Sequence, residues 1–436
     1  MTAQNHTRLI VILLALVWLV GCAVNPVTGR KELALFQISE EEEITIGQRT
    51  FPQVLQQMGG IYPDEALNAY VERVGERVAR YSHRPDLPYQ FAVINNSAPN
   101  AFALPGGPIA ITRGLLVVMN NEAQLASVLG HEVGHVTARH SVAGMQRGAL
   151  LGVGVAVISG VAGDAAHGPL SQQVAQLAAT LVDNTYSREQ EREADRLGID
   201  YMVRAGYDPQ GAVQLQEIFY RELEGGAQPS WVGGLFRTHP FSRDRMLDNQ
   251  RYIETTYGQA TAAAGFVLNA REFQQATAAL RQKQQGFQLY EEGRQLEARN
   301  QLPQAIATYQ RALEAAPNES LILTRLGLAL LKAEDMVPAR RNLQRAVDLD
   351  GNYYESRMGF GFVLLERGEN AAAVQHLEKS MELLPTLQGG YLLAEGYEKT
   401  GERQKAIALY RSIVEADPGG RLGQAAAQRL RALEGR

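Results

Sequence analysis

The sequence predicts an α+β, mostly helical domain with a small sheet, followed by an all-α solenoid of repeats. Three observations carry this. Between residues 39 and 257, apolar positions recur at helical spacing behind recognisable caps. Short runs between Tyr89 and Thr112 alternate like strands around a Gly106-Gly107 turn. Beyond residue 285 a period of about 34 residues sets in. The 436 residues suffice for two or three ordinary cores. The expected division is a leader (1–21), a tether (22–38), a first domain (39–257), a helical connector (258–285) and about four repeats with a C-terminal capping helix (286–436). A formal charge of −5 and a pI near 6 point away from nucleic acid. The single cysteine excludes an internal disulfide framework.

That cysteine, Cys22, ends a targeting segment. Arg8 supplies a positive start, and the apolar run from Leu9 to Val20 is too short to span a bilayer comfortably. Leu19, Val20, Gly21 and Cys22 together resemble a bacterial lipobox, which implies a lipidated Cys22 at the mature N-terminus. Several acyl chains on one residue would hold the protein to a membrane. Ala23, not aspartate, follows the cysteine and favours the outer membrane, so the expected location is periplasm-facing and anchored there. A plain signal peptide or a short signal anchor is the alternative.

Taking the chain in order, Ser39 with Glu42 forms a capping box for a helix ending near Gly59-Gly60. Asp64 to Tyr81 follows as an amphipathic helix with Leu67, Val71, Val74 and Val78 on one face. Tyr89–Ile94, Phe102–Leu104 and Ile109–Thr112 read as strands. An exposed edge strand here could pair with an extended peptide backbone; a sheet that only covers the core is the alternative.

The next helix, capped by Asn121, carries His131-Glu132-Val133-Gly134-His135, an H-E-x-x-H motif. Residues four apart on a helix lie nearly above one another, so His131 and His135 can aim two imidazole nitrogens at one point. That point suits one Zn²⁺ per chain, and Glu132 beside it can take a proton from water. Gly130 and Gly134 are poor helix formers and suggest that something packs closely against this helix. Downstream, Ser187 with Gln190 caps a helix on which Glu191 and Asp195 share a face. Glu191 can supply a third ligand, and Asp195 can hold the far nitrogen of a ligating histidine. Alone, these acids alternating with Arg188, Arg192 and Arg196 would read as a solvated charged helix; paired with the upstream motif they do not.

H-E-x-x-H followed by E-x-E-A-D-x-x-G resembles the HtpX-like zinc metallopeptidases, a gluzincin-type family, over roughly residues 35–255. Three further stretches fit. The segment from Asn100 to Ile109 resembles one that the family places beside its cleft, making Asn100, Ala101, Phe102 and Ala103 candidates for pairing with a substrate strand. Gly114-Leu115 precedes the zinc helix, and Thr238-His239-Pro240 with Arg245 resembles the pattern closing the domain. The resemblance implies a zincin-type fold and hydrolysis of peptide bonds in unfolded or misfolded envelope proteins, outer-membrane proteins above all. It also implies that the repeats dock substrate or outer-membrane assembly machinery. The rival reading is a chaperone or assembly factor working through the repeats, with the zinc site largely silent.

Three roles are open to His239: a loop histidine bonded to backbone; by resemblance, a fourth ligand that silences the site; or a stabiliser of the oxyanion. His140, at about 140° around a continuous helix from His135, is expected to be no ligand. Gly148 to Gly163 reads as a packed helical hairpin or a plug near the cleft. Asp208-Pro209 starts another helix, Gly225 to Gly234 is loop-like, and Ser242 caps a helix to about Tyr257. In the repeats, Gly293, Gly327, Gly361 and Ala394 keep one register, as do Ala305, Ala339, Ala373 and Ala406. Small residues recur there because paired helices cross closely.

Overall fold

The computed structural model describes residues 22–25, 27–29, 31–33, 38–150, 185–224, 238–261 and 265–435. The leader, most of Gly148–Gly163 and the stretch Gly225–Gly234 lie outside the described residues.

Within the expected tether a small hairpin forms, with β1 (Cys22–Val24) antiparallel to β2 (Lys31–Leu33). Asn25 is the reason. Its Oδ1 accepts from the amides of Val27 and Thr28 to close a turn. Its Nδ2 donates to the Ala138 carbonyl at 3.1 Å.

Helix α1 (Glu40–Gln57) opens on the Ser39/Glu42 capping box, with both reciprocal bonds made. Helix α2 (Glu65–Ala79) is capped by Asp64 and buries Leu67, Val71, Val74 and Val78 along one stripe. Three strands follow, β3 (Gln90–Ile94), β4 (Ala101–Ala103) and β5 (Pro108–Thr112), in the order β3-β5-β4. β3 runs parallel to β5 and β4 antiparallel to it, with Phe102 opposite Ala110.

A short helix α3 (Arg113–Leu116) leads to α4 (Glu122–Thr137), which carries H-E-x-x-H behind an Asn121 cap. Then come α5 (His140–Leu150), α6 (Arg188–Arg204) with its Ser187/Gln190 capping box, α7 (Gln210–Glu224) and α8 (Arg243–Thr261).

The connector is helical in two short pieces. Asn269 has φ 46°, and two short helices follow, α9 (Ala270–Ala276) and α10 (Ala278–Gln282). Just before them, the Leu268 carbonyl accepts from the amides of Glu122 and Ala123 at 3.0 and 3.3 Å. The first amides of a helix have no partner within it, and satisfying them draws this stretch out of helical form.

Four helix pairs make the solenoid: α11 (Gln284–Ala298) with α12 (Leu302–Ala315), α13 (Ser320–Lys332) with α14 (Met336–Leu349), α15 (Tyr354–Glu366) with α16 (Asn370–Leu383), and α17 (Leu387–Thr400) with α18 (Arg403–Ala416). Helix α19 (Arg421–Glu434) closes the stack.

One apolar core runs from α2, the sheet, α4 and α6 through Phe273, Leu280 and Phe287 into the first two repeats. The Arg113 guanidinium lies 3.3 Å from the Phe287 ring centroid and bonds Asn95 and Ser97. Farther along, the Gln56 side chain on α1 clamps the third repeat, donating to the Asn352 carbonyl at 2.7 Å and accepting from the Tyr354 amide at 2.9 Å. The solenoid therefore lies against the first domain at two separate places. No helix among the described residues is long and apolar enough to cross a membrane.

Candidate metal centre and active site

The site rests on the crossing of α4 and α6, which glycines bring together. A Cβ on Gly130 would stand 2.8 Å from the Gly198 carbonyl oxygen, and one on Gly134 would stand 2.8 Å from that of Ala194. A Cβ on Gly198 would meet the His131 amide nitrogen at 2.6 Å. These are backbone contacts that no side-chain rotation relieves. The absence of side chains therefore sets how near Glu191 comes to the two histidines.

One atom each from His131, His135, Glu191 and His239 gathers within 4.8 Å. His135 Nε2 lies 3.0 Å from His131 Nε2 and 3.2 Å from Glu191 Oε1. His239 Nδ1 lies 3.3 Å from His131 Nε2 and 3.1 Å from Glu191 Oε1. A tetrahedral zinc with ligands at about 2.0 Å spaces those ligands about 3.3 Å apart. The donor set of three imidazoles and one carboxylate is equally suited to that ion.

The far side of each ring fixes which nitrogen faces inward. His131 Nδ1–H donates to Asp195 Oδ1 at 2.8 Å, leaving the Nε2 lone pair for the centre. His135 Nδ1 lies 2.9 Å from His140 Nδ1, and His140 Nε2 lies 2.9 Å from Glu193 Oε2. His140 thus accepts from His135 and donates to Glu193, turning the His135 Nε2 lone pair inward. Burial holds the His135 pKa well below its ordinary value, against the pull of Glu191, so the ring is neutral as a ligand must be.

The helical angle expected for His140 does not apply. Arg139, at φ 57°, breaks the helix between the two histidines and swings His140 back against His135. Glu43 holds that break through Arg139 Nε at 3.1 Å, and it also pairs with Arg84.

Asp195 is bound by Arg245 through Nε at 2.5 Å and Nη2 at 2.6 Å, and by Asn249 at 2.9 Å. Burial alone would raise its pKa; the Arg245 charge and these bonds hold it well below the usual carboxylate range instead. Arg245 Nη1 also bonds Glu191 and donates to the Pro240 carbonyl at 3.2 Å, tying the His239 segment to the ligand helix. Glu191 is likewise lowered against its burial, by Arg245 and the histidines.

Glu132 is buried at 2 % exposure, and its Oε2 has no partner. Burial raises its pKa, while the charges of His239 and His131 partly oppose this. The other nitrogen of His239, Nε2, lies 3.6 Å from Glu132 Oε1 and is also without a hydrogen bond. Burial works against a charged His239, but Glu191 and Glu132 hold its pKa up at about 9.

The Tyr186 ring lies over His135 at 3.8 Å between centroids, and its hydroxyl is 3.0 Å from that of Ser141. Tyr186 and His140 are the site residues that sequence reasoning missed. His140 depends on the turn at Arg139, which no local pattern announces.

The structure brings Glu132, His131, His135, Glu191, Asp195 and His239 together. Asn100, Ala101, Phe102 and Ala103 are all buried, and β4 is the edge strand beside β5 among the described residues. The register pairs Ala101 with Ile111 and Ala103 with Ile109, and the amide of Thr112 bonds the carbonyl of Asn100. In antiparallel alternation this turns the backbone groups of Ala101 and Ala103 away from β5. The Ser141 hydroxyl takes the Ala103 carbonyl at 3.5 Å. Ala101 lines a pocket with His131, Glu132 and His239. Cys22 opens β1, far in sequence from these groups.

Residues 65–251 match peptidase family M48, and residues 391–422 match a tetratricopeptide repeat. The chain is 32% identical over 195 residues to the beta-barrel assembly-enhancing protease of Escherichia coli (strain K12), covering 42% of this chain and 38% of that protein. It is 30% identical over 230 residues to the mitochondrial metalloendopeptidase OMA1 of Schizosaccharomyces pombe, covering 52% of this chain and 65% of that protein. The matched region thus spans less than half the length of the Escherichia coli relative. A solved structure of YrrB, a tetratricopeptide repeat protein with an unusual peptide-binding site, aligns at a TM-score of 0.30 and 19% identity, covering 49% of this chain and 99% of that one. That score is too low to add to the fold argument. Residues 65–251 are thus similar to peptidase family M48 and hold a zinc-type ligand set, and a region similar to tetratricopeptide repeats follows.

Proposed function

We propose, with the family M48 domain as premise, that the chain is a zinc-dependent endopeptidase of the bacterial cell envelope. It would degrade misfolded or stalled proteins, outer-membrane proteins foremost. The observation that carries the proposal is the convergence of His131, His135, Glu191 and His239 within 4.8 Å, beside a buried carboxylate with a partnerless oxygen.

When bound, zinc polarises the peptide carbonyl and makes water acidic enough to lose a proton near neutral pH. Glu132 takes that proton, and its raised pKa suits it to carry the proton on to the leaving amine. Asp195 and His140 keep the His131 and His135 lone pairs on the centre, and Arg245 holds Asp195 and Glu191 in place. The outward backbone of Ala101 offers an extended substrate a strand to pair with, which recognises unfolded chain with little regard to sequence.

His239 closes the site in this reading. Its Nδ1 takes the fourth position among the ligand atoms, and its Nε2 covers Glu132, so substrate must displace it. Lipid on Cys22 would keep the domain at the outer membrane, and the solenoid would dock substrate or assembly machinery.

The occupied fourth position also favours a second reading, in which the solenoid works as a chaperone or assembly factor and the site is mostly silent. The test is metal analysis and degradation of an unfolded protein by the mature chain, by Glu132→Gln and by His239→Ala. One zinc per chain, activity lost in the first variant and raised in the second, is the expected result. Zinc without cleavage by any of the three would leave the solenoid reading. In cells, a Glu132→Gln chain that fully restores envelope integrity would favour the chaperone.

A further inference from the structure

The pocket that shares Glu132 and Ala101 continues away from the ligand cluster between α4, α6 and α7. Its walls there are apolar: Val128, Ile199, Leu215, Phe219 and Phe241. Gln216 stands among them, 9% exposed and with its Oε1 buried without a hydrogen-bond partner, while Ser127, which also lines the pocket, donates to the Gln124 carbonyl at 2.8 Å. Leaving the Gln216 oxygen unpaired costs stability that a hydrogen-bonding visitor would restore. The neighbouring glutamine on the same helix, Gln214, is by contrast engaged by Asn121 and Gln124 at the start of α4.

The charged groups bordering the pocket do not call for a charged visitor. Asp195 is already held by Arg245 and Asn249, and Arg245 by Asp195 and Glu191. A lysine or glutamate entering from the substrate would lose its water, and the bordering carboxylate with a partnerless oxygen, Glu132, is the group that takes the proton in the reaction proposed above. A purely apolar side chain would fill the walls but leave Gln216 unpaired.

We infer that this pocket selects, beside the scissile bond, a neutral substrate side chain with an apolar body and a hydrogen-bonding tip, glutamine or tyrosine foremost. Either tip can donate and accept, so it pairs with the Gln216 amide in either orientation. The edge strand gives affinity without sequence preference, and the pocket adds preference at one position. This rests on the endopeptidase reading above.

The test maps cut sites in an unfolded protein digested by the zinc-loaded full chain and by Gln216→Leu. Peptides differing only by glutamine or leucine at the mapped position then give the ratio of kcat/KM. The expected ratio favours glutamine in the wild type and falls about tenfold in Gln216→Leu. Peptide binding to Glu132→Gln should show the same glutamine preference without turnover. If Gln216→Leu does not fold, Gln216→Asn, one methylene shorter, should lower the ratio likewise. An unchanged ratio, with both proteins cutting, would overturn the pocket alone. If neither the chain nor His239→Ala cuts anything, the endopeptidase reading fails and the pocket falls with it.

Discussion

Glycines bring helices together in both halves of the molecule, yet they face different things. In the metal centre, Gly130, Gly134 and Gly198 abut backbone atoms of the opposing helix. In the solenoid, Gly293 faces the Tyr309 ring, Gly327 faces Leu343 and Gly361 faces Leu377. A side chain can turn or shift to admit a methyl group; a carbonyl held in a helix cannot. The repeat itself makes the point, because the fourth copy of that register is Ala394, fully buried. At this register the solenoid is held by shape that can be repacked. The metal centre is held by backbone proximity and by the polar network around Arg245, Asp195 and Glu191, and it leaves far less room for change.

Four substitutions would break or sharpen this contrast. Arg245→Leu should have the largest effect, because it strands two buried carboxylates: about 3–5 kcal/mol of stability, read by urea unfolding of the metal-free chain. Gly134→Ala should come next, at about 3 kcal/mol together with weaker zinc binding, since the Ala194 carbonyl must move. A zinc affinity unchanged in that variant would mean the helix spacing does not set the site. His140→Ala should leave the fold in place and lower zinc affinity about 10–100-fold, measured by competition with a chelator. Gly361→Ala should be the mildest, at about 1 kcal/mol or less, because better helix propensity offsets the shift of Leu377. A loss there as large as at Gly134 would remove the distinction between the two regions.

Much of the architecture was legible because it is written at short range. The capping boxes at Ser39 and Ser187, the Asn121 cap and the repeat register are local patterns, and the helices begin where those caps lie. His131 and His135, and then Glu191 and Asp195, were nameable for a similar reason, each pair lying one helical turn apart.

What escaped depends on partners distant in sequence. His140 reaches His135 only because Arg139 adopts a positive φ, stabilised by Glu43 nearly a hundred residues earlier. The hairpin at Asn25 needs the Ala138 carbonyl to dock on. The connector breaks where Leu268 is drawn to the start of α4. The seat of the third repeat on Gln56 joins positions 296 and 298 residues apart, beyond any periodicity.

Zinc-edge X-ray absorption on the purified full chain tests the central claim most directly. The account predicts one zinc per chain with four nitrogen or oxygen neighbours at about 2.0–2.1 Å, no sulfur, and scattering from three imidazoles. In His239→Ala it predicts two imidazoles with an oxygen in the vacated place. Absence of zinc would contradict the metal centre itself, and an unchanged imidazole count in His239→Ala would show that His239 is not on the metal and does not close the site.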